Sequence, residues 1–456
     1  EELGENFGKR GFSQLGEGLK GLLIWGRDDW LYQYNPENAS EEKLLCWQDC
    51  DVYRNHIQAV VQISEERILV LLSEIASSTI KQNLLLLTRI PAEQAVQKEQ
   101  ILLGSMMPSG DLEKAVVKFN QISDRYHVTI ERFSEDNQGG QARLDSALAS
   151  GEGVPDLLDL TYLDIVNYAE AGALEDLYPY MKEGEIKKET YLSNLLDGYT
   201  FDGKLVCIPK SFQFLGLYVT DPRILEAGDW TMEGLMAATE QYTDVGLFPD
   251  QWDYNMLSQF CGGYILEEFV DLEGGECRFD SGEFCGLLEW VRGQQTGKGE
   301  ERESLMTPKY VNGFDGYQEN LMMLGEDVVL RGAPLADGRE AFPVTVANAL
   351  GIPVKAQNQE GAWAFLQFYL QNGDAESTWS AFPTSLAMLD QVQEKIVTPL
   401  YVMMGDEVYL DKNGEPEECP RMLLYRDGVE IEVYALSQSA ADALRQVLEG
   451  IDSRPR

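Results

Sequence analysis

A change of pattern near residue 98 constrains this chain more than any other feature of it. Upstream, residues 21–90 hold short apolar runs, GLLIW, WLYQY, KLLCW, IQAVVQI, RILVLL and LLLLTRI, parted by polar connectors such as NPENAS and SEER. Runs of this length and spacing predict about six antiparallel strands joined by hairpins. Downstream of PAEQAVQKEQ, strands and helices alternate. ILLGSM (101–106) reads as a strand, and Leu112, Ala115, Val116, Phe119 and Ile122 then recur at helical spacing behind an N-cap at Asp111. HVTIERF (127–133) reads as a second strand, QARLDSALAS as a helix, and PDLLDL as a third strand before a helix over 162–171.

That alternation predicts a parallel sheet with right-handed crossovers and helices on its faces. The ligand crevice of such a sheet opens at the carboxyl ends of its strands. One wall is therefore expected from the residues after ILLGSM, from the ERFSED turn with Glu135 and Asp136, and from the corner Asp159 to Tyr162. A second lobe should start soon after LVCIP (205–209), where Pro209 limits strand continuation. Helices are expected at 231–242, 252–260, 282–293 and 361–371, and Gly274-Gly275 suits a turn between two short strands. ANALGIPV (347–354) reads as a strand on which the chain crosses back. Two crossings between lobes make a hinge, and hinge closure is a known way to enclose a solute.

At 456 residues the chain exceeds one hydrophobic core, so two or three compact units are expected. Its 77 acidic and 36 basic residues give a formal net charge of -41, which opposes nucleic acid and anionic lipid. No nucleic-acid partner is expected, and the charge tilts the ligand towards neutral or cationic solutes. No run of 18 apolar residues occurs, and the start EELGENFGKR has neither the basic nor the apolar region of a secretory signal. Seven cysteines, 46, 50, 207, 261, 277, 285 and 419, cannot all pair, and reduced, partly buried thiols are expected. Only His56 and His127 occur, so a three-histidine zinc site is excluded by count. DKNG (411–414) lacks the other ligands of a calcium loop and reads as a polar hairpin turn. P-loop, dinucleotide and nucleophile-elbow motifs are missing from the sequence; no cofactor and no metal is expected.

Several runs, taken in order, resemble one family. They are GVPDLLDL (153–160) leading into AGALEDLYPY (171–180), GKLVCIPKSFQFLGLYVT (203–220), GDWTMEGLMAAT (228–239), FDSGEF, GAWAFLQFYLQ (361–371) and TWSAFPTSLAMLD (378–390). Together they resemble the extracellular solute-binding proteins, family 1, that deliver sugars to ABC transporters. The resemblance implies an α/β, two-lobed periplasmic-binding-protein-like (type II) fold over 101–456, with lobe 1 over about 101–208 plus 347–360 and lobe 2 over about 209–346 plus parts of 361–456. Residues 1–100 form a small antiparallel β segment ahead of it, which looks like the remnant of a β-propeller. Partners implied are a sugar or oligosaccharide and the permease subunits of an ABC transporter, with the binding protein a monomer, extracellular and anchored as a lipoprotein. The family's pattern closes with a longer helix pair than LRQVLEGIDSRPR supplies, which bears on permease docking.

A sugar presents apolar C–H faces and polar rims, so its site needs aromatic plates with a few carboxylates and amides. Trp252 and Tyr254 in FPDQWDYNML are the leading plates, with Trp379 as a third. Phe212 and Phe214 follow the first crossover, and alternation sends both rings to one side and Gln213 to the other. If the cleft takes the rings they stack on ligand; otherwise they are core. Asp159, Tyr162 and Glu135 complete the expected ligand-binding set, although Asp159 also suits a helix cap. Glycoside hydrolysis would need two carboxyls opposed across a substrate, which adjacency of Glu135 and Asp136 does not provide. No enzyme is expected. The alternative to sugar capture is a degenerate binding protein serving as a sensor or interaction module, with the β segment as its partner surface.

Overall fold

The structure is a computed structural model and describes residues 15–453, apart from 77–78, 134–138, 184–185, 227, 243–244, 250–255, 272–273, 295–302, 326, 373–380, 405–406 and 427. The chain divides into two compact units. The first takes in Glu1–Asp164, Gly172–Leu174 and Leu350–Asn372; the second takes in Ile165–Ala171, Glu175–Ala349 and Gly373–Arg456. The β segment and helix Gln359–Gln371 thus belong to the first unit, and residues 175–208 to the second.

Within the first unit the N-terminal segment forms seven strands in two antiparallel meanders. β1 (Leu15–Glu17), β2 (Leu23–Arg27), β3 (Trp30–Asn35) and β4 (Ser40–Cys46) make a four-stranded sheet. β5 (Ile57–Ser64), β6 (Arg67–Ala76) and β7 (Thr79–Thr88) make a three-stranded one. The strand beyond the six expected is β1, whose LGE carries a single apolar residue and so gives no periodic signal. One core holds the two sheets together: Ile24, Leu31 and Trp47 from the first segment meet Val60, Ile68 and Val70 from the second.

Next comes β8 (Glu99–Ser105), α1 (Gly110–Ile122), β9 (Tyr126–Arg132), α2 (Gly140–Ser150) and β10 (Leu157–Asp159). β8 lies between β9 and β10 and pairs parallel with both. The returning strand Val344–Gly351 ends beside β10 and antiparallel to it, pairing Leu158 with Gly351 and Asp159 with Leu350. A parallel sheet joined by a strand that comes back antiparallel agrees with the expected fold class. α1 starts one step earlier than its expected cap: the Ser109 hydroxyl, not Asp111, accepts from the Leu112 N–H at 3.2 Å. Asp111 sits instead in the first turn, where its charge favours the helix N-terminus. α1 turns Leu112, Val116 and Phe119 inward, and Phe119 meets Phe365 edge-on at 5.3 Å between ring centres.

The β segment is fastened to this α/β half by buried polar groups. The Gln48 amide donates to Asp29 at 2.8 Å and to the Ile130 carbonyl at 3.2 Å, while its oxygen accepts from the Ile130 N–H at 2.7 Å. Arg132, at the end of β9, bridges Asp29 and Glu113, and Arg54 reaches the same two carboxylates at 3.6 and 3.4 Å. Two arginines and two carboxylates therefore balance in charge within one cluster.

In the second unit, strand Ile208–Val219 pairs antiparallel with Met306–Val311, Val329–Arg331 and Phe382–Pro383. Pro209 does not stop this strand, contrary to the sequence expectation. It is the second residue, the pairing with Phe382–Pro383 begins only at Ser211, and its carbonyl accepts from the Thr384 hydroxyl at 2.6 Å. Gly275, at φ 66°, makes the expected turn between Val270–Asp271 and Glu276–Cys277. Asp411 caps the DKNG turn, accepting from the N–H groups of Asn413 and Glu415 at 2.8 and 3.0 Å. Among the described residues no cluster of His, Cys, Asp and Glu is arranged to hold a metal ion.

The thiols differ sharply in environment. Cys207 and Cys261 are buried, Cys46, Cys50 and Cys419 half-buried, and Cys277 and Cys285 exposed. Burial pushes the Cys261 thiol up to about 12, and Cys50 to about 12 with help from the Asp49 charge. Under native conditions at mildly alkaline pH, a thiol-reactive chromophore should label Cys277 and Cys285 fast and Cys207 and Cys261 only after denaturation. Arg132→Ala should lower the unfolding free energy by about 3–5 kcal/mol in a denaturant titration, because two carboxylates lose a buried partner. Lys20→Ala, which removes an exposed pair with Glu65, should leave the midpoint in place.

Candidate functional site

Two polar surfaces stand out, one in each unit. In the first unit, the carboxyl ends of β8 and β10 carry a small buried network. The Ser105 hydroxyl donates to Asp159 at 2.7 Å, and the Thr161 hydroxyl and N–H donate to its other oxygen at 2.6 and 3.1 Å. Asp159 is thus a turn anchor, and the helix it was expected to cap starts only at Ile165. The Tyr369 ring is buried below; burial, with the Asp159 and Asp111 charges nearby, holds its phenol well above the usual range. Tyr162 stands at the rim with 60% of its surface exposed, and Met107 is exposed as well. The corner predicted from sheet topology therefore has a buried polar base and an exposed aromatic.

Phe212 and Phe214 are a correction. Both are fully buried in the second unit, where Phe382 packs on them at 5.6 and 5.9 Å and Phe342 meets Phe214 edge-on at 5.4 Å. Alternation along the strand is as expected, but the side that takes the rings is core, and Gln213 is the half-buried residue between them. Neither ring is open to a ligand. Trp252, Tyr254, Trp379 and Glu135 lie outside the described residues.

Sequence reasoning missed a groove of the second unit, about 720 Å³ in volume. Helix Gly262–Phe269 forms one side through Gly262, Gly263 and Leu266; helix Gln438–Gly450 forms another through Gln446 and Val447. Phe342 contributes an aromatic side chain to the lining. Arg339 and Glu340 in the lining are already paired, and Asp452 lines it as well. Arg339 binds Asp337 at 2.7 Å and Glu267 at 2.8 Å, and Glu340 accepts from Arg331 at 2.7 Å and from the Gly332 N–H at 2.6 Å. Ser258, Gln259 and Gln446 are left as neutral polar groups along the lining. No local pattern in the sequence marks this groove, because its lining comes from stretches of chain far apart in sequence.

Comparison with known families shows what part of this chain is similar to. Residues 114–277 match the family of bacterial extracellular solute-binding proteins. This stretch, about a third of the chain, is similar to a bacterial extracellular solute-binding domain. It runs from α1 through β9 and β10 to the Cys277 hairpin, so the Asp159–Tyr162 corner and the Gly262-Gly263 helix start both lie inside it. No curated protein matches the sequence. Among solved structures, the chain is similar to an ABC substrate-binding protein from Listeria monocytogenes in complex with cycloalternan, at 17% identity over 65% of this chain and 83% of that one, TM-score 0.41. It is also similar to maltose-bound MalE3 of T. maritima, at 18% identity over 65% and 84%, TM-score 0.42. A cyclic alpha-maltosyl-1,6-maltose binding protein from Arthrobacter globiformis matches at 15% identity over 65% and 84%, TM-score 0.43.

The Asp159–Tyr162 corner separates a structural from a surface role. Asp159→Ala should cost about 1–3 kcal/mol in chemical denaturation, since the Ser105 hydroxyl loses its buried acceptor. Tyr162→Ala, by contrast, should leave stability within about 0.5 kcal/mol of the parent.

Proposed function

We propose that this protein captures an uncharged carbohydrate, an oligosaccharide, and hands it to an ABC transporter permease without doing covalent chemistry. The observation that carries the reading is the solute-binding family match over residues 114–277. The chemistry of the second unit's groove supports the substrate class. Arg339 in the lining is engaged by Asp337 and Glu267, so an anionic solute would meet no spare positive charge from it, while Ser258, Gln259, Gln446 and the Phe342 ring offer what a sugar's hydroxyls and C–H faces need. A volume of about 720 Å³ falls in the range of small-molecule sites and admits more than a single sugar ring. Tyr162 supplies an aromatic of the same kind in the first unit, and Asp159 holds its turn. Trp252, Tyr254, Trp379 and Glu135 remain proposed ligand contacts from their sequence positions.

The family is extracellular, and the reading places this protein outside the cell, held at the surface by a lipid anchor. No helix among the described residues is long and apolar enough to cross a membrane. A second reading, an interaction module built on the β segment, is favoured by the exposed aliphatic face of β5–β7, where Val61, Leu84 and Leu86 are each more than half exposed.

Isothermal titration against a panel of mono-, di- and oligosaccharides, peptides and polyamines tests the substrate class. Saturable binding of an oligosaccharide is expected, weakened about tenfold by Phe342→Ala through loss of stacking. Binding confined to peptides or polyamines would end the carbohydrate reading.

A further inference from the structure

The outward face of β5–β7 is aliphatic and exposed on a strongly acidic chain. Each of the three strands buries one row of side chains, Val60 on β5 and Ile68 and Val70 on β6 among them, against the four-stranded sheet. Alternation sends the other row outward. There, cross-strand neighbours line up as Val61–Leu69–Leu86 and Ala59–Leu71–Leu84, two complete apolar rows across three strands. Val61, Leu84 and Leu86 are 51%, 64% and 52% exposed, and Ile63 and Ile80 extend the face at 50% and 66%. Monomers rarely leave contiguous apolar patches beyond about a few hundred Å² bare, and a row of exposed aliphatics of this kind marks an interaction surface. Among the described residues β7 pairs only with β6, so one strand edge is open beside the patch.

Charge says what could cover it. The chain carries -41 overall, yet Ile57 to Ile90 holds three acids, Glu65, Glu66 and Glu74, and three bases, Arg67, Lys81 and Arg89. This segment is neutral, and its two outward rows carry no charge. A basic partner would gain nothing here that the rest of the surface does not offer more strongly. The surface that fits is neutral, flat, aliphatic and edged by mixed charges, and this sheet is itself such a surface. The inner face of the same three strands already packs sheet to sheet on a second meander, so the outer face repeats a contact the fold makes once.

We propose that the outward face of β5–β7 is a self-association surface, on which a second copy of this chain packs sheet against sheet with its own β5–β7. The monomer expected from the sequence gives way to a dimer joined at the N-terminal sheets, and this holds whatever solute the protein carries. Apolar packing also sets the salt response: sodium sulfate should tighten the dimer, whereas an ionic contact would loosen.

Sedimentation velocity on the full chain, across a concentration series up to about 100 μM, tests this. The expected result is a monomer–dimer equilibrium that shifts to dimer in sodium sulfate and returns to monomer in Leu84→Lys/Leu86→Lys. Both positions are exposed, and circular dichroism checks that the variant stays folded. Should that variant misfold, Val61→Lys on the neighbouring strand carries the same expectation. A parent chain that is monomeric throughout, or a dimer that survives the folded lysine variants, overturns the proposal.

Discussion

One carboxylate holds the first unit in register. Asp156, buried just ahead of β10, accepts from the Leu102 N–H of β8 at 3.0 Å with one oxygen, and from the N–H groups of Gln357 and Asn358 at 3.0 and 2.8 Å with the other. Three stretches of chain, the last some two hundred residues away, are thereby tied at one point. Asn358 is also the cap of helix Gln359–Gln371, accepting from the Gly361 N–H at 2.9 Å, so the same residue fixes where that helix begins. A carboxylate with three N–H donors is satisfied in a way a neutral acceptor could not match, and moving the returning segment by one residue would leave a buried charge short of partners. The alignment of β10 with the strand that returns beside it, and the position of the Asp159 turn three residues on, follow from this constraint.

A second buried polar cluster extends the logic to the N-terminal sheets. Apolar packing alone would let the β segment slide on α1 and β9, because hydrophobic contact is not directional. Gln48 removes that freedom by completing the Ile130 N–H and carbonyl as a neighbouring strand would, and Arg132, Arg54, Asp29 and Glu113 balance their charges around it. Desolvation alone would lower the Arg132 pKa, yet Asp29 and Glu113 more than reverse this and raise it, so the guanidinium stays charged in place. The β segment is therefore a fixed part of the first unit. Its open face points away from a rigid base, which gives that face a defined shape.

What could be read from the sequence was periodic, and what could not was pairwise. The alternation of HVTIERF, the helical stripe from Leu112 to Phe119 and the Gly274-Gly275 turn each report local geometry, and each element stands where its pattern put it. Local signals failed at ends and sides. Ser109 outcompetes Asp111 as cap because the first helical residue is set by backbone geometry, and Pro209 sits where the pairing has not yet begun. The rings of Phe212 and Phe214 share one side as alternation required, but only Phe382, one hundred and seventy residues away, makes that side a core. The Asp29–Arg132 and Gln48–Ile130 contacts join positions with no sequence signal between them. Nor does GREAFP announce that Arg339 and Glu340 are spoken for by Glu267 and Arg331.

This distribution of charge bears directly on function. A chain at -41 repels its own copies and anionic solutes at long range, with the effect fading beyond a Debye length of about 8 Å in physiological salt. Short-range recognition then depends on which groups each surface leaves exposed. In the groove of the second unit the cations are engaged, Arg339 by Asp337 and Glu267 and Arg331 by Glu340, and the lining offers amides, a hydroxyl and a ring beside an acidic excess that includes Asp452. The outer face of β5–β7 lies in a segment, Ile57 to Ile90, with three acids and three bases, and its two apolar rows carry no charge. The two surfaces differ in polarity: the groove presents hydrogen-bonding side chains to a hydroxylated guest, while the rows on the sheet present aliphatic ones that suit an apolar surface. What each leaves exposed, more than net charge, is therefore what selects between a guest and a second copy.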